Sequence, residues 1–144
     1  MKTFVVYDSL YGNTEKIAQA IGSVISGDVN VISVKEARAS LLSLSDKLII
    51  GSPTQGGRPT TPIKAFIDAI PPEIAKSIKV AAFDTRIPGR FIKIFKYAAD
   101  KIAQSLQAKG ANLIIPPEGF LVEGTKGPLS EGEYERAKDW GRHI

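Results

Sequence analysis

The stretch Thr3-Phe4-Val5-Val6-Tyr7-Asp8-Ser9-Leu10-Tyr11-Gly12-Asn13-Thr14-Glu15 changes character in its middle. Residues 3–8 are apolar and β-branched over the length of one strand, and residues 9–13 are turn formers. Beyond them Ile17, Ile21, Val24 and Ile25 recur at helical spacing until Gly27, where a left-handed residue would close a helix. The unit is therefore strand, glycine loop, helix. At such a junction the first helical N–H groups lack intrahelical acceptors and the peptide dipoles present their positive end, so an anion is attracted without any lysine. Gly12 allows positive φ and close approach of the backbone, while Ser9, Asn13 and Thr14 bring hydroxyl and amide donors and Tyr11 can add another. Neither the Gly-Lys-Ser/Thr of a nucleoside triphosphate loop nor the three-glycine dinucleotide fingerprint is present, so a monophosphate suits the loop better. The same residues admit a plainer reading, in which Ser9 and Thr14 cap the helix and Gly12 makes a turn.

Working outward, residues 29–34 and 47–51 read as strands two and three, the latter apolar enough to be buried on both faces. Thr61 before Pro62 suits an N-cap, with Ile63, Phe66, Ile67 and Ile70 as the buried stripe and Pro71-Pro72 as the stop. A fourth strand is expected over residues 78–83. A helix follows over 90–109, with Phe91, Phe95, Ala98, Ile102 and Leu106 on one face, and Gly110 ends it. Residues 111–115 make the fifth strand, which residues 120–122 extend or double, and Ser130 with Glu133 has capping-box spacing for a last helix carrying Tyr134, Ala137 and Trp140. Five apolar strands alternating with helices imply an α/β fold, because parallel strands need long crossovers and the helices are those crossovers.

The 144 residues amount to one domain, and the absence of cysteine excludes Cys-ligated zinc, iron–sulfur clusters and a thiol nucleophile. Apolar runs are only a few residues long and nothing resembles a signal peptide, so a cytoplasmic protein is expected that neither spans nor enters a membrane. Nineteen Lys and Arg against fifteen Asp and Glu give +4, too modest and too free of interleaved aromatics for a nucleic-acid protein. Cations gather between Arg86 and Lys109 and acids between Glu118 and Asp139, as solvated faces.

In open parallel sheets ligands lie beyond the carboxyl ends of the strands, which directs attention to the loops after strands one, three and four. These are residues 9–14, Ser52-Pro53-Thr54-Gln55-Gly56-Gly57-Arg58-Pro59, and Asp84-Thr85-Arg86-Ile87-Pro88-Gly89-Arg90. The first, from Tyr7 to Glu15, resembles the FMN-phosphate loop of flavodoxins. Gly51-Ser52-Pro53-Thr54 resembles the second flavin loop of that family, and the order of strands, loops and helices matches from Met1 to Ile144. The Tyr-Gly-Asn-Thr form is similar to the flavodoxin modules of flavodiiron proteins and related short stand-alone proteins. Electron-transfer flavodoxins differ in having a second hydroxyl residue at the position of Tyr11.

The resemblance implies a flavodoxin-like three-layer sandwich over residues 1–144, with a five-stranded parallel sheet in the order 2-1-3-4-5 and helices on both faces. FMN would be held by Ser9, Leu10, Tyr11, Gly12, Asn13 and Thr14 in the first loop. Pro53, Thr54, Gln55, Gly56, Gly57 and Arg58 would serve in the second, and Asp84, Thr85, Arg86 and Gly89 in the third. It also implies that a peptide at Gly56 or Gly57 turns its carbonyl toward the flavin N5 on one-electron reduction; on its own chemistry the glycine pair is equally a flexible turn needing positive φ. Arg86 would place a cation near N1 and make the second reduction potential less negative, unless Asp84 and Arg86 merely form a surface pair. Neither of the later loops holds Trp or Tyr to stack on the ring, leaving it open on one face, while Phe91, Tyr134 and Trp140 read as core.

Three functions follow. The first is a monomeric FMN electron carrier without catalytic residues, exchanging electrons with redox protein partners, acidic ones docking near Arg90, Lys93 and Lys96. The second is an NAD(P)H-dependent FMN quinone reductase using Arg86 and Arg90 for anionic groups. The third is an FMN-free interaction module. His143, the one histidine, lies beside the C-terminus and is a poor general base.

Overall fold

The central strands are apolar on both faces because both faces are covered. In the computed structural model, which describes residues 2–44, 46–88 and 97–144, the strands are β1 (Lys2–Tyr7), β2 (Asp28–Ser33), β3 (Lys47–Pro53), β4 (Lys79–Arg86), β5 (Asn112–Leu113) and β6 (Glu118–Leu121). The helices are α1 (Asn13–Val24), α2 (Thr61–Asp68), α3 (Pro72–Ala75), α4 (Ala98–Ala108) and α5 (Glu133–Gly141), with a 3₁₀ turn at Ala39–Leu41. The strands pair in parallel in the order β2-β1-β3-β4-β5, and β6 also pairs with β4. The α/β architecture and the 2-1-3-4-5 order are those expected.

Side chains alternate across the sheet with period two. Phe4, Val6, Leu48, Ile50, Val80 and Ala82 join Ile63, Phe66 and Ile67 of α2 and Ile102 and Leu106 of α4 in one core. Val5, Ile49, Ala81 and Phe83 face the other way and meet Ile17 and Ile21 of α1, Phe120 of β6, and Ala137 and Trp140 of α5. In that second layer Phe83, Phe120 and Trp140 meet edge to face with centroids 6.1–6.2 Å apart. Gly51 opposes Phe83 in the ladder, and a methyl group at Gly51 would lie 1.9 Å from the Phe83 ring, so glycine is what admits the aromatic there.

Several expected boundaries move. Thr60 rather than Thr61 is the N-cap of α2, and its hydroxyl donates to Asp8 instead of capping the helix. Pro71-Pro72 does not simply stop α2; Pro72 opens the short α3. β4 continues past Phe83 to Arg86 because β6 lies alongside Phe83 to Arg86 and supplies its ladder partners. The fifth strand position is divided: β5 pairs with the start of β4 and β6 with its end, on either side of Ile114-Ile115-Pro116-Pro117. Helix α4 is described from Ala98, and the expected positions Phe91 and Phe95 lie outside the described residues. The capping box at Ser130 does not form. Gly132 is the N-cap of α5, and the Glu133 carboxylate accepts from the Leu121 amide at 2.7 Å and from Arg136 at 2.7 and 2.9 Å. Trp140 is core as expected, but Tyr134 is exposed, with Lys138 Nζ 4.8 Å from its ring centroid.

Candidate functional site

The carboxyl ends of β1, β3 and β4 meet at one edge of the sheet. There Asp8 ties two loops together: its amide donates to the Gly51 carbonyl at 3.1 Å, and its buried carboxylate accepts from the Ser9 amide at 3.0 Å and the Thr60 hydroxyl at 2.6 Å. Ser52 reinforces the tie, its Oγ accepting from the Thr60 amide at 3.0 Å. The first loop then wraps around Ser9, whose Oγ accepts from Gly12 N at 3.0 Å and Glu15 N at 3.4 Å. Gly12 caps α1 at φ 91°, a conformation costly for a residue with Cβ. With Gly12 and Glu15 amides satisfied by Ser9, the amides of Asn13 and Thr14 at the first two helical positions have no acceptor among the described residues.

The remaining walls come from β3 and β4. Thr14 and Thr85 share a hydroxyl–hydroxyl bond of 2.8 Å, and the Thr54 amide donates to the Thr85 carbonyl at 2.9 Å. Gln55 and Arg58 bond each other through both backbone pairs, at 2.9 and 3.0 Å, around Gly56 and Gly57 at φ 57° and 76°. Positive φ at both central residues of a two-residue turn is what glycine supplies there.

These elements enclose a cleft of about 270 Å³. Of the residues singled out from sequence, Ser9, Leu10, Tyr11, Asn13, Thr14, Pro53, Thr54, Gln55, Thr85 and Arg86 line it. Gly12 sits between lining residues, and Gly56 and Gly57 form the turn beside Gln55 without entering the wall. Arg58 instead lines a separate groove between α2 and α4, Asp84 is fully buried behind the wall, and Gly89 lies outside the described residues. Ile87, Val122 and Thr125 line the cleft as well. Val122 and Thr125 were missed because a search confined to the loops after strands one, three and four passes over the segment following β6. The glycines at 124 and 127 mark that segment as a turn, and this was the available signal.

The electrostatics of the cleft differ from the sequence expectation. Asp84 and Arg86 are not a surface pair, nor is Arg86 a free cation. Arg86 Nε and Nη2 each donate to the Asp84 carboxylate at 2.7 Å, the Ala99 amide donates to the same carboxylate at 2.9 Å, and the guanidinium lies 3.5 Å from the Tyr97 ring centroid. Burial pushes the Asp84 carboxyl above its ordinary value, against the opposing pull of Arg86 and the Ala99 amide. With the Arg86 charge paired to Asp84, no free cation stands at this position to make the second reduction potential less negative.

The wall nonetheless fits an anionic, partly apolar ligand. Among its described lining residues there is no carboxylate, while two unpartnered first-turn amides, the hydroxyls of Ser9 and Thr54, and whichever of the Thr14 and Thr85 hydroxyls accepts from the other offer donors. Leu10, Tyr11 and Ile87, respectively 55%, 51% and 48% exposed, supply apolar surface that a flat ring would cover. That donor set suits a phosphomonoester joined to a planar heterocycle.

Fold and cleft together define an open parallel α/β domain with an anion-receptive site at the carboxyl edge of its sheet. Residues 5–140 match the flavodoxin family model, and the chain belongs to the flavodoxin family. It is accordingly an FMN-binding flavoprotein. Over 86 residues, 55% of the chain, it is 35% identical to putative diflavin flavoprotein A 4 of Nostoc sp. (strain PCC 7120), and the match spans 15% of that protein's length. A flavodoxin from the domain Archaea superposes with a TM-score of 0.81 at 26% identity, over all of this chain and 96% of that one. The rubredoxin oxygen:oxidoreductase of Desulfovibrio gigas shares the fold, with a TM-score of 0.78 at 20% identity over 99% of this chain and 35% of that one. No helix among the described residues is long and apolar enough to cross a membrane.

Proposed function

We propose that residues 1–144 form one FMN domain that carries electrons between redox proteins, with the phosphate at the N-terminus of α1 and the ring between the first, second and third loops. The observation that carries this reading is the pair of amides at Asn13 and Thr14 that have no acceptor among the described residues, in a wall whose described lining holds no carboxylate. Ser9 organises the loop, Gly12 lets it turn, and Leu10 and Tyr11 cover the ring from one side. Pro53, Thr54 and Gln55 border it from β3, with Gly56, Gly57 and Arg58 shaping the turn beyond. Thr85 fixes the depth of the cleft through Thr14, while Asp84 and Arg86 hold the β4 end, from which Gly89 follows. Bound FMN supplies one- and two-electron transfer.

The chain's own residues bind and orient the cofactor rather than move protons. His143, bonded to the Asp139 carbonyl at 2.8 Å, is not among the residues that line the cleft. Redox partners with acidic surfaces would dock through Arg90, Lys93 and Lys96, which lie outside the described residues, so that added salt slows exchange. Two measurements test the reading. Apoprotein should quench FMN fluorescence on mixing, and the holoprotein should show almost no steady-state oxidation of NADH or NADPH with a quinone. Absence of quenching overturns the site, and sustained turnover overturns the carrier.

A further inference from the structure

One side of the cleft is closed by a hairpin that follows β6. Its base is fastened to β4, the Val122 amide donating to the Arg86 carbonyl at 2.9 Å. Val122 and Leu129 then pair as an antiparallel bridge, and Glu123 N donates to Pro128 O at 2.9 Å. Gly127 N donates to Gly124 O at 2.9 Å, closing a four-residue turn with Thr125 and Lys126 at its tip. The far side of this turn lies against the start of α1. A methyl group at Gly127, where φ is 100°, would come within 2.7 Å of both polar atoms of the Asn13 amide, so glycine lets the hairpin pass this close. Thr125 therefore lines the same cleft as Ser9, Asn13 and Thr14, and exposed Lys126 is its neighbour.

We propose that the 124–127 turn is the second half of the phosphate site, with the Thr125 hydroxyl donating to the FMN phosphate and the Lys126 ammonium neutralising it. The proposal rests on the phosphate lying at the N-terminus of α1. A phosphomonoester carries a charge of about −1.5 to −2 at neutral pH, whereas a helix terminus offers roughly half a positive charge. Arg86 cannot supply the difference, because both of its bonds of 2.7 Å go to Asp84. Lys126 has no ion-pair partner among the described residues, and its hairpin is held by backbone bonds on both sides of the turn. Glu123, at the base of the hairpin, is the opposing charge on the same segment.

Riboflavin, which is FMN without its phosphate, provides the test. Dissociation constants of both flavins are measured by fluorescence titration of the apoprotein, at low and high salt, for the native chain, Lys126→Gln and Thr125→Val. Lys126→Gln should raise the FMN constant about threefold to tenfold and flatten its salt dependence while leaving riboflavin unchanged. Thr125→Val should give the same selective loss with the salt dependence retained. If Lys126→Gln leaves the FMN constant and its salt dependence unmoved, or weakens both flavins equally, the turn is a wall rather than a phosphate ligand and the inference is overturned. A native chain that binds riboflavin as tightly as FMN would bring down the phosphate placement itself, a result distinct from losing Lys126 alone.

Discussion

Arg86→Ala removes the cation paired with a carboxylate that has no contact with water. Asp84 is fully buried, and the Arg86 side chain is 18% exposed. The substitution deletes both guanidinium bonds of 2.7 Å and leaves Asp84, among the described residues, with the Ala99 amide alone. Removing one partner of a buried ion pair costs about 3–5 kcal/mol, and the partial exposure of Arg86 places this case near the lower figure. The loss depends on pH with a definite sign. Burial already holds the Asp84 carboxyl above its ordinary value of 3.8, and without Arg86 it rises further. Between the ordinary value and the raised one, the folded chain retains a proton that the unfolded chain has released. Stability therefore falls as pH increases through that window. Urea unfolding of both apoproteins at a series of pH values upward from the ordinary carboxylate value of 3.8 should show a deficit that widens as pH rises and narrows toward that value, because a protonated Asp84 needs no counter-ion. A deficit below about 1 kcal/mol at every pH, or one that does not change with pH, would refute the reasoning, since only a solvated pair behaves so.

Gly51→Ala should destabilise the fold by about 3 kcal/mol, because the new methyl group meets the Phe83 ring. Adding Phe83→Leu should restore part of that loss in chemical unfolding; a single mutant within experimental scatter of the parent would contradict the packing. Glu133→Gln tests the opposite pH sign. Hydrogen bonding from Arg136, opposed by burial and helped by the Leu121 amide, holds the Glu133 carboxyl below its ordinary 4.5, so its contribution is present above that value and disappears as pH falls through the folded one. The mutant should be about 1–3 kcal/mol less stable near neutrality, with the gap closing in acid; an acid-independent gap would count against it. Thr60→Val takes the donor at 2.6 Å from buried Asp8 and should cost about 1–3 kcal/mol, with thermal unfolding as the check.

What could be read from the sequence was whatever is decided locally. The change from strand to helical period between Val6 and Ile17 lies within a dozen residues, and the glycine between them marks the turn, so β1, the first loop and α1 were legible at once. Three of the errors share one cause, a side chain or backbone group claimed by a distant element. Thr60 displaced Thr61 as the cap because Asp8, fifty-two residues earlier, takes its hydroxyl. Asp84 and Arg86 read as loop because the strand that extends β4 beside them begins Glu118-Gly119, two residues with little strand character of their own. Glu133 stands at capping-box spacing from Ser130, yet Arg136 and the Leu121 amide hold its carboxylate. In the cleft, the first two loops were visible as polar and glycine-rich interruptions of apolar strands. Thr125 was not, since only the folded hairpin brings it beside Asn13.

The divided fifth position gives the sheet two unlike borders. On that side neither β5 nor β6 exceeds four residues, and between them Pro116 and Pro117 have no amide hydrogen to offer a neighbour. On the other side β2 runs six residues, with no strand along its outer flank among the described residues and Val31 37% exposed. Among the described residues, β2 is thus the border with a full-length strand to which a foreign one could add. Growth into a fibril requires two adhesive borders per molecule, so one border broken into short strands and prolines is enough to stop edge-to-edge pairing from propagating.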